Sequence, residues 1–297
     1  MIIAHVSDTH LGRRVSSSRR GIINNETRVI ESDFYDSWEQ FIDLVIEESP
    51  DIILHSGDFF DTPDGNDRNP PPEYARRVAA KSFKRLERFG IPFVIIDGNH
   101  GRYTEYRSST LSSFDDTISN FFLFSHYDLR DAIREQRPLY RDFQDLNLRV
   151  IAHPALDLRT MHSLGIEQFY HDWIKIQTSS ISPDMINVGI AHGAERFDTL
   201  SPEFLKGNFH YIALGDIHTM EQVSKHAWYS GSTERWVLDE YDREHGYLLV
   251  NVEKEKAYPS ISRRFLKLDR KILSEHIKLE QNYTDTVIQS RVDDIYR

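Results

Sequence analysis

An α/β fold whose strands are buried on both faces is what this sequence predicts, and three observations carry that prediction. Short apolar runs rich in Ile, Val and Leu recur along the 297 residues, and most end in a polar cluster. Two amphipathic helical patterns separate the first three runs. With 39% hydrophobic and 28% charged residues, the chain can bury a sizeable core, mostly as one large domain.

The runs in order are IIAHVSD, DIILHSGD, PFVIIDGNH, LRVIAHP, MINVGIAHG, HYIALGDIH and GYLLVNVE. Each has strand length and is closed by Gly, Asp, Asn or His, or by a polar turn. Between the first two, FYDSWEQFIDLVIEE puts Phe34, Trp38, Phe41, Ile42 and Val45 on one helical stripe. Between the second and third, PPPEYARRVAAKSFKRLERFG ends in a glycine suited to a helix C-cap. Such strand–helix alternation describes right-handed crossover units. The later runs have fewer helical patterns between them, which predicts a mixed sheet or two stacked sheets. GRRVSSSRRGIINNE and DTPDGNDRNPPP read as surface loops. The first carries Arg13, Arg14, Arg19 and Arg20, for which a solvated loop and a phosphate-backbone clamp weigh equally.

Composition excludes several classes. With no cysteine there are no disulfides, no thiolate nucleophile and no Cys-based zinc site. No run approaches the roughly 20 apolar residues of a membrane span, and the opening MIIAHVSD has no signal-peptide pattern. A cytoplasmic protein without membrane contact is expected. A net charge of −11 argues against coating nucleic acid by bulk electrostatics, though bound cations can supply a local positive field.

The strand ends carry the chemistry. In YIALGDIHTM, Asp216 and His218 leave an apolar strand two residues apart, a spacing that aims both to one side of an extended chain. The other ends give Asp8-Thr9-His10, Gly57-Asp58, Gly98-Asn99-His100 and His192-Gly193. Functional residues of α/β layers collect outside the carboxyl ends of strands. Carboxylates, imidazoles and one amide suit divalent cations such as Mn²⁺, Mg²⁺ or Fe²⁺, and so many ligands exceed the needs of one ion. One such fragment alone reads as a turn or a structural histidine; five in this order do not.

Asp-x-His, Gly-Asp, Gly-Asn-His, His-Gly and a final Gly-x-x-His resemble the signature of the calcineurin-like metallophosphoesterases over residues 1 to about 252. The resemblance implies a four-layer α/β/β/α sandwich of mixed sheets with two metals. It places Asp8, His10, Asp58 and His218 on the first ion, and Asp58, Asn99, His192 and Asp216 on the second. His100 would be the catalytic histidine, oriented by Asp61. SDTHLGRR, GDFFDTP and YSGSTERW further resemble DNA repair nucleases of the SbcD and meiotic recombination eleven type. That implies a Mn²⁺-preferring 3′→5′ exonuclease and single-strand endonuclease in double-strand break repair. It would act on DNA with an SbcC-like, SMC-type ATPase, and a homodimer is among the expected assemblies. Arg13, Arg14 and Arg235 are the expected DNA contacts.

The chain departs from that pattern in three places. Asp216 stands where the family usually has a histidine, which adds an anionic oxygen and favours hard ions over Zn²⁺. Gly101 replaces a common acidic residue beyond Asn-His. The expected phosphoesterase domain covers 1–262, leaving 263–297 as a C-terminal extension that reads as the start of a truncated capping domain or the end of a minimal relative. A phosphoesterase for a small molecule, and a DNA-binding scaffold with a degenerate site, are the rival readings. His5, His55 and His153 are expected to be structural.

Overall fold

A computed structural model describes residues 1–13, 26–61, 70–100, 102–103, 108–156, 161–162, 165–237, 240 and 242–268. Arg14, Arg19, Arg20, Gly101 and most of the two expected surface loops lie outside the described residues, as do residues 269–297.

The first half of the chain runs β1 (Ile2–Val6), α1 (Glu26–Glu48), β2 (Ile52–His55), α2 (Glu73–Arg88) and β3 (Phe93–Ile96). A short hairpin, β4 (Arg102–Tyr103) with β5 (Ser108–Ser109), is followed by α3 (Ser112–Asp115), β6 (Phe121–Phe124) and α4 (His126–Glu135). Next come β7 (Tyr140–Phe143), β8 (Leu148–His153), α5 (Glu167–Ser179), β9 (Ile186–His192), α6 (Pro202–Leu205) and β10 (Tyr211–Gly215). The described chain ends with β11 (Glu221–Gln222), β12 (Ala227–Tyr229), β13 (Gly246–Asn251) and β14 (Ser260–Phe265).

Two mixed sheets result. One has the order β14-β13-β1-β2-β3-β6 and the other β11-β12-β10-β9-β8-β7. β1, β2, β3 and β6 are parallel, and so are β8, β9, β10 and β12, so the expected crossover units are present. β13 closes the first sheet by running antiparallel to β1. β14 crosses position 262, so the sheet continues to Phe265 across the boundary drawn at 262/263.

Side-chain alternation assigns the layers. Ile3, Ile52, Leu54, Val94 and Ile96 point inward and pack with Val150, Val188, Ile190, Ile212 and Leu214 of the second sheet. Ala4, Val6, Ile53, Phe93 and Ile95 point outward to Phe34, Trp38, Phe41, Val78 and Phe83 of α1 and α2. Trp173 and Ile174 of α5 belong to the cluster that includes the second sheet. This is the expected α/β/β/α order. Strands buried on both faces explain why the runs read as continuous apolar stretches.

α2 ends as its sequence predicts. Gly90 adopts φ 67°, its N–H donates to the Glu87 carbonyl at 3.0 Å, and Ile91 N–H donates to Leu86 at 3.1 Å. These two bonds satisfy the orphan carbonyls of a helix C-terminus. The later chain holds more helix than the sequence reading expected. α4 is announced by Ser125, whose hydroxyl and backbone form a reciprocal cap with Asp128. α5 carries a weak stripe because Gln177 occupies a buried position, where its amide bonds Leu139 and Ala152. Among the described residues, no helix is long and apolar enough to cross a membrane.

The three histidines expected to be structural are buried. His5 pairs with the Tyr211 hydroxyl at 2.6 Å and Ser56 Oγ at 2.9 Å, His55 with Thr9, and His153 with the Tyr170 hydroxyl at 2.7 Å. His126, which has no evident partner in sequence, pairs with Asp97 at 2.7 Å. Burial pulls the His153 imidazole down to about 4. Between that value and the ordinary value near 6.5, the unfolded chain binds a proton the folded chain does not, so stability falls as pH falls through this window. This one residue predicts a loss of about 2 kcal/mol from pH 7 to pH 5. Urea unfolding at both pH values should show a drop smaller by about that amount in His153→Gln; equal drops would refute the assignment.

Candidate metal centre

The strand ends supply the ligand set by turning sharply. Asp8, His10, Asp58 and Asp216 all have positive φ, at 52°, 44°, 54° and 97°. Non-glycine residues seldom adopt this region, at a cost on the order of 1–3 kcal/mol each. Cross-strand bonds hold the turns in place. Asp8 N–H donates to Gly57 O at 3.0 Å, His10 N–H to Asp58 O at 3.0 Å, and Leu11 N–H to Phe59 O at 2.9 Å. Gly57 permits the approach of the second sheet, because a β-carbon there would lie 2.3 Å from His192 Nδ1.

These turns bring the expected ligands together. Asp8, His10 and His218 offer atoms within 4.8 Å of one another, and so do Asp8, Asp58 and His192. His10 Nε2 faces His218 Nε2 at 3.2 Å. His192 Nε2 lies 2.8 Å from Asn99 Oδ1, 3.6 Å from Asp58 Oδ2 and 3.7 Å from Asp216 Oδ1. Asp58 Oδ2 stands between the two groups, 3.9 Å from His10 Nε2, while Asp58 Oδ1 accepts the His100 N–H at 2.9 Å. Asp8 is common to both triplets, a sharing that the sequence-based assignment gave to Asp58.

His100 lies beside this cluster with Nδ1 at 3.3 Å from Asp61 Oδ1 and Nε2 at 3.9 Å from Asp58 Oδ2. Burial would raise the Asp61 carboxyl, but bonds from His100, then Arg13 and Trp236, hold it below its usual value. His10, Asp61 and His100 also converge within 4.8 Å.

Charge in the centre is unbalanced toward the anions. Burial pushes the Asp8 carboxyl up to about 6, against the pull of His192 and His218. Burial opposes charge on His192, yet Asp58, Asp216 and Asp8 raise its basicity. Burial likewise opposes charge on His218, and Glu240 and Asp8 raise it. The carboxylates thus draw positive charge onto their neighbours. Mixed oxygen and nitrogen donors, buried and electrostatically hungry for cations, are a donor set that fits divalent metals.

Sequence reading missed the groups that orient this set. Glu240 accepts from His218 Nδ1 at 2.9 Å and from the backbone N–H of Trp236 at 2.6 Å. Ser7 Oγ donates to Asp8 at 2.6 Å, and the Asp216 N–H reaches both Asp8 oxygens at 3.2 Å. Trp236 donates from Nε1 to Asp61 at 3.2 Å and packs its ring 5.4–6.0 Å from His10, His100 and His218. Trp236 closes the YSGSTERW run quoted above without its role being read, and Glu240 lies four residues beyond it.

Of the expected DNA contacts, Arg13 lies in the centre, 3.2 Å from Asp61 and 4.1 Å above the Trp236 ring. Arg235 is partly buried with its guanidinium 3.9 Å from Glu234, and its backbone N–H donates to the same carboxylate at 2.8 Å. Arg14 lies outside the described residues.

Comparison with known proteins identifies the family. The DNA double-strand break repair protein Mre11 of Thermoplasma acidophilum is 26% identical over 77% of this chain and 55% of its own length. Mre11 of Sulfurisphaera tokodaii is 41% identical over 38% of this chain, a match spanning about a quarter (26%) of that relative. The SbcD component of the nuclease SbcCD from Staphylococcus saprophyticus is 24% identical over 97% of this chain and 73% of its own length. A dimetal phosphatase from Danio rerio superposes with a TM-score of 0.50 at 12% identity, covering 85% of this chain and 92% of that one, and so shares the fold. The family model of the calcineurin-like phosphoesterases matches residues 1–220. With that match, and a buried set of carboxylates and imidazoles suited to the divalent ions the family implies, the chain belongs to the calcineurin-like phosphoesterase family.

Proposed function

We propose that this protein is a DNA repair nuclease, a two-metal phosphodiesterase that cuts duplex ends 3′→5′ and nicks single strands. The observation that carries the reading is Asp58 standing between two histidine–carboxylate groups, with the His100–Asp61 pair alongside. The names of the Mre11 and SbcD relatives supply the choice of DNA as substrate. An SbcC-like, SMC-type ATPase partner and a homodimeric assembly belong to the same reading.

Asp8, His10 and His218 would hold one ion, and Asn99, His192 and Asp216 the other, with Asp58 shared. The chemistry supplied by two bound divalent ions is activation of water and neutralisation of charge at phosphorus. The chain supplies the rest. His100 turns Nδ1 to Asp61, which leaves Nε2 to hold a proton for the departing 3′ oxygen. Glu240 fixes the ring of His218 and keeps its Nε2 directed at the centre. Arg13, over the Trp236 ring and beside Asp61, presents a cation next to the ligand set, where a second phosphate would pass.

Three outcomes test this reading. With Mn²⁺, linear duplex and circular single-stranded DNA should be cut, and Asp58→Ala should fall to the level of chelator-treated protein. Cleavage of a small chromogenic diester with none of DNA would move the substrate to a small molecule. Glu240→Gln should weaken Mn²⁺ binding or turnover about 10- to 100-fold while leaving the melting temperature near that of the parent; an unchanged titration would remove Glu240 from the centre. Asp216→His should narrow the preference for Mn²⁺ over Zn²⁺ in competitive binding, since a neutral nitrogen replaces an anionic oxygen. Zinc already outcompeting manganese in the parent protein would contradict the hard-ion assignment.

A further inference from the structure

Beside the centre lies a cleft of about 310 Å³. Asn99, His192 and Asp216 form one wall, and Leu156, Phe197 and Thr199 another. The cleft is therefore continuous with the candidate second-ion group, and its size is at the lower end of ligand pockets. We propose that it is a nucleobase-stacking subsite: Phe197 is the platform for the base of the nucleotide whose phosphate enters the centre, and the subsite accepts every base.

Phe197 is 60% exposed, yet the backbone that carries it is tied down. It ends a tight turn, Glu195–Phe197, in which Phe197 N–H donates to Ala194 O at 3.1 Å and Thr199 N–H to the same oxygen at 3.2 Å. Ala194 N–H donates to Thr199 Oγ1 at 2.8 Å. The Tyr229 hydroxyl anchors Gly193 O at 2.9 Å. Gly193 has φ 136°, and a β-carbon there would lie 2.6 Å from Thr199 O, so the turn closes against itself. Arg196, 3.7 Å from Glu221, lies 5.3 Å from the Phe197 ring centroid and flanks it. A single exposed phenylalanine is ordinary. One carried by a hydrogen-bonded turn on the rim of a cleft that ends in candidate metal ligands offers a placed face to a flat ring.

The same bonds explain the indifference to base identity. The Thr199 hydroxyl is engaged with Ala194, and the Asn99 carbonyl oxygen faces His192 at 2.8 Å. Leu156 offers only carbon. Away from the Asn99 amide and the Asp216 carboxylate, the walls present an aromatic face and aliphatic surface, and every base has a π-face to stack.

This inference rests on the nuclease reading for the attached strand, but its test does not require cleavage. Binding of dAMP, dTMP and 2-deoxyribose 5-phosphate to the Mn²⁺-loaded protein would be measured by calorimetry, for the parent, Phe197→Ala and Phe197→Trp. Both nucleotides should bind about 5- to 150-fold tighter than the sugar phosphate. Phe197→Ala should remove most of that advantage, and Phe197→Trp should keep it. Equal affinities for all three ligands, no binding of any, a strong preference for one base, or an advantage that survives in Phe197→Ala would each overturn the subsite. If the nucleotide advantage holds while DNA is not cut, the nuclease reading fails and the subsite stands.

Discussion

The architecture turns on how closely the two sheets approach at their carboxyl ends. Ser56 O lies 2.8 Å from His192 Nδ1, and a β-carbon on Gly215 would lie 2.1 Å from that same oxygen. At this seam the end of β10 meets the residue after β2 with no space for a side chain on Gly215, and the Ser56 hydroxyl continues through His5 to the Tyr211 hydroxyl in a hydrogen-bond chain between the sheets. The seam fixes the distance between ligands from the first sheet, Asp8, His10 and Asp58, and those from the second, His192, Asp216 and His218. Wider sheets would separate the two sets. The positive-φ turns are the local cost of this closeness, offset by the backbone bonds between the loops after β1 and β2.

Electrostatics follows from the same geometry. Aspartates brought into a buried cleft repel one another, and burial adds to the penalty on their charge. The surroundings answer with histidines whose rings are held in chosen orientations: His192 by the Ser56 carbonyl and His218 by Glu240. Arg13, 3.2 Å from Asp61, adds a permanent cation beside these carboxylates.

Much of this was legible in the sequence because the ligands sit where an apolar run stops. Asp8, Asp58, Asn99 and Asp216 each follow a strand buried on both faces and His192 ends one, and that contrast is visible without knowing the fold. α1 and α2 were equally plain, since Trp38, Phe41 and Val45 or Val78, Phe83 and Leu86 recur at helical spacing. Other parts had no such contrast. Glu240 and Trp236 lie on irregular backbone, where position is set by bonds to His218 and Asp61 rather than by any period. β6, FFLF, and β14, SISRRF, are edge strands whose patterns are too short or too polar to stand out. α5 hid behind the buried amide of Gln177, and the pairing of His126 with Asp97 joins residues far apart in sequence.

The order in which the chain is made gives the seam a further meaning. Asp8 and His10 sit near the start, but their partners Asp216 and His218 lie 208 residues later. β1 is completed only when β13 arrives beside it. Loops this long close slowly, and contacts of high sequence separation form late. A growing chain therefore carries isolated carboxylates and imidazoles for most of its synthesis, none able to hold an ion as a set. The complete ligand set arises only when the second sheet docks on the first. The assembled ligand set is in effect a reporter of completed folding.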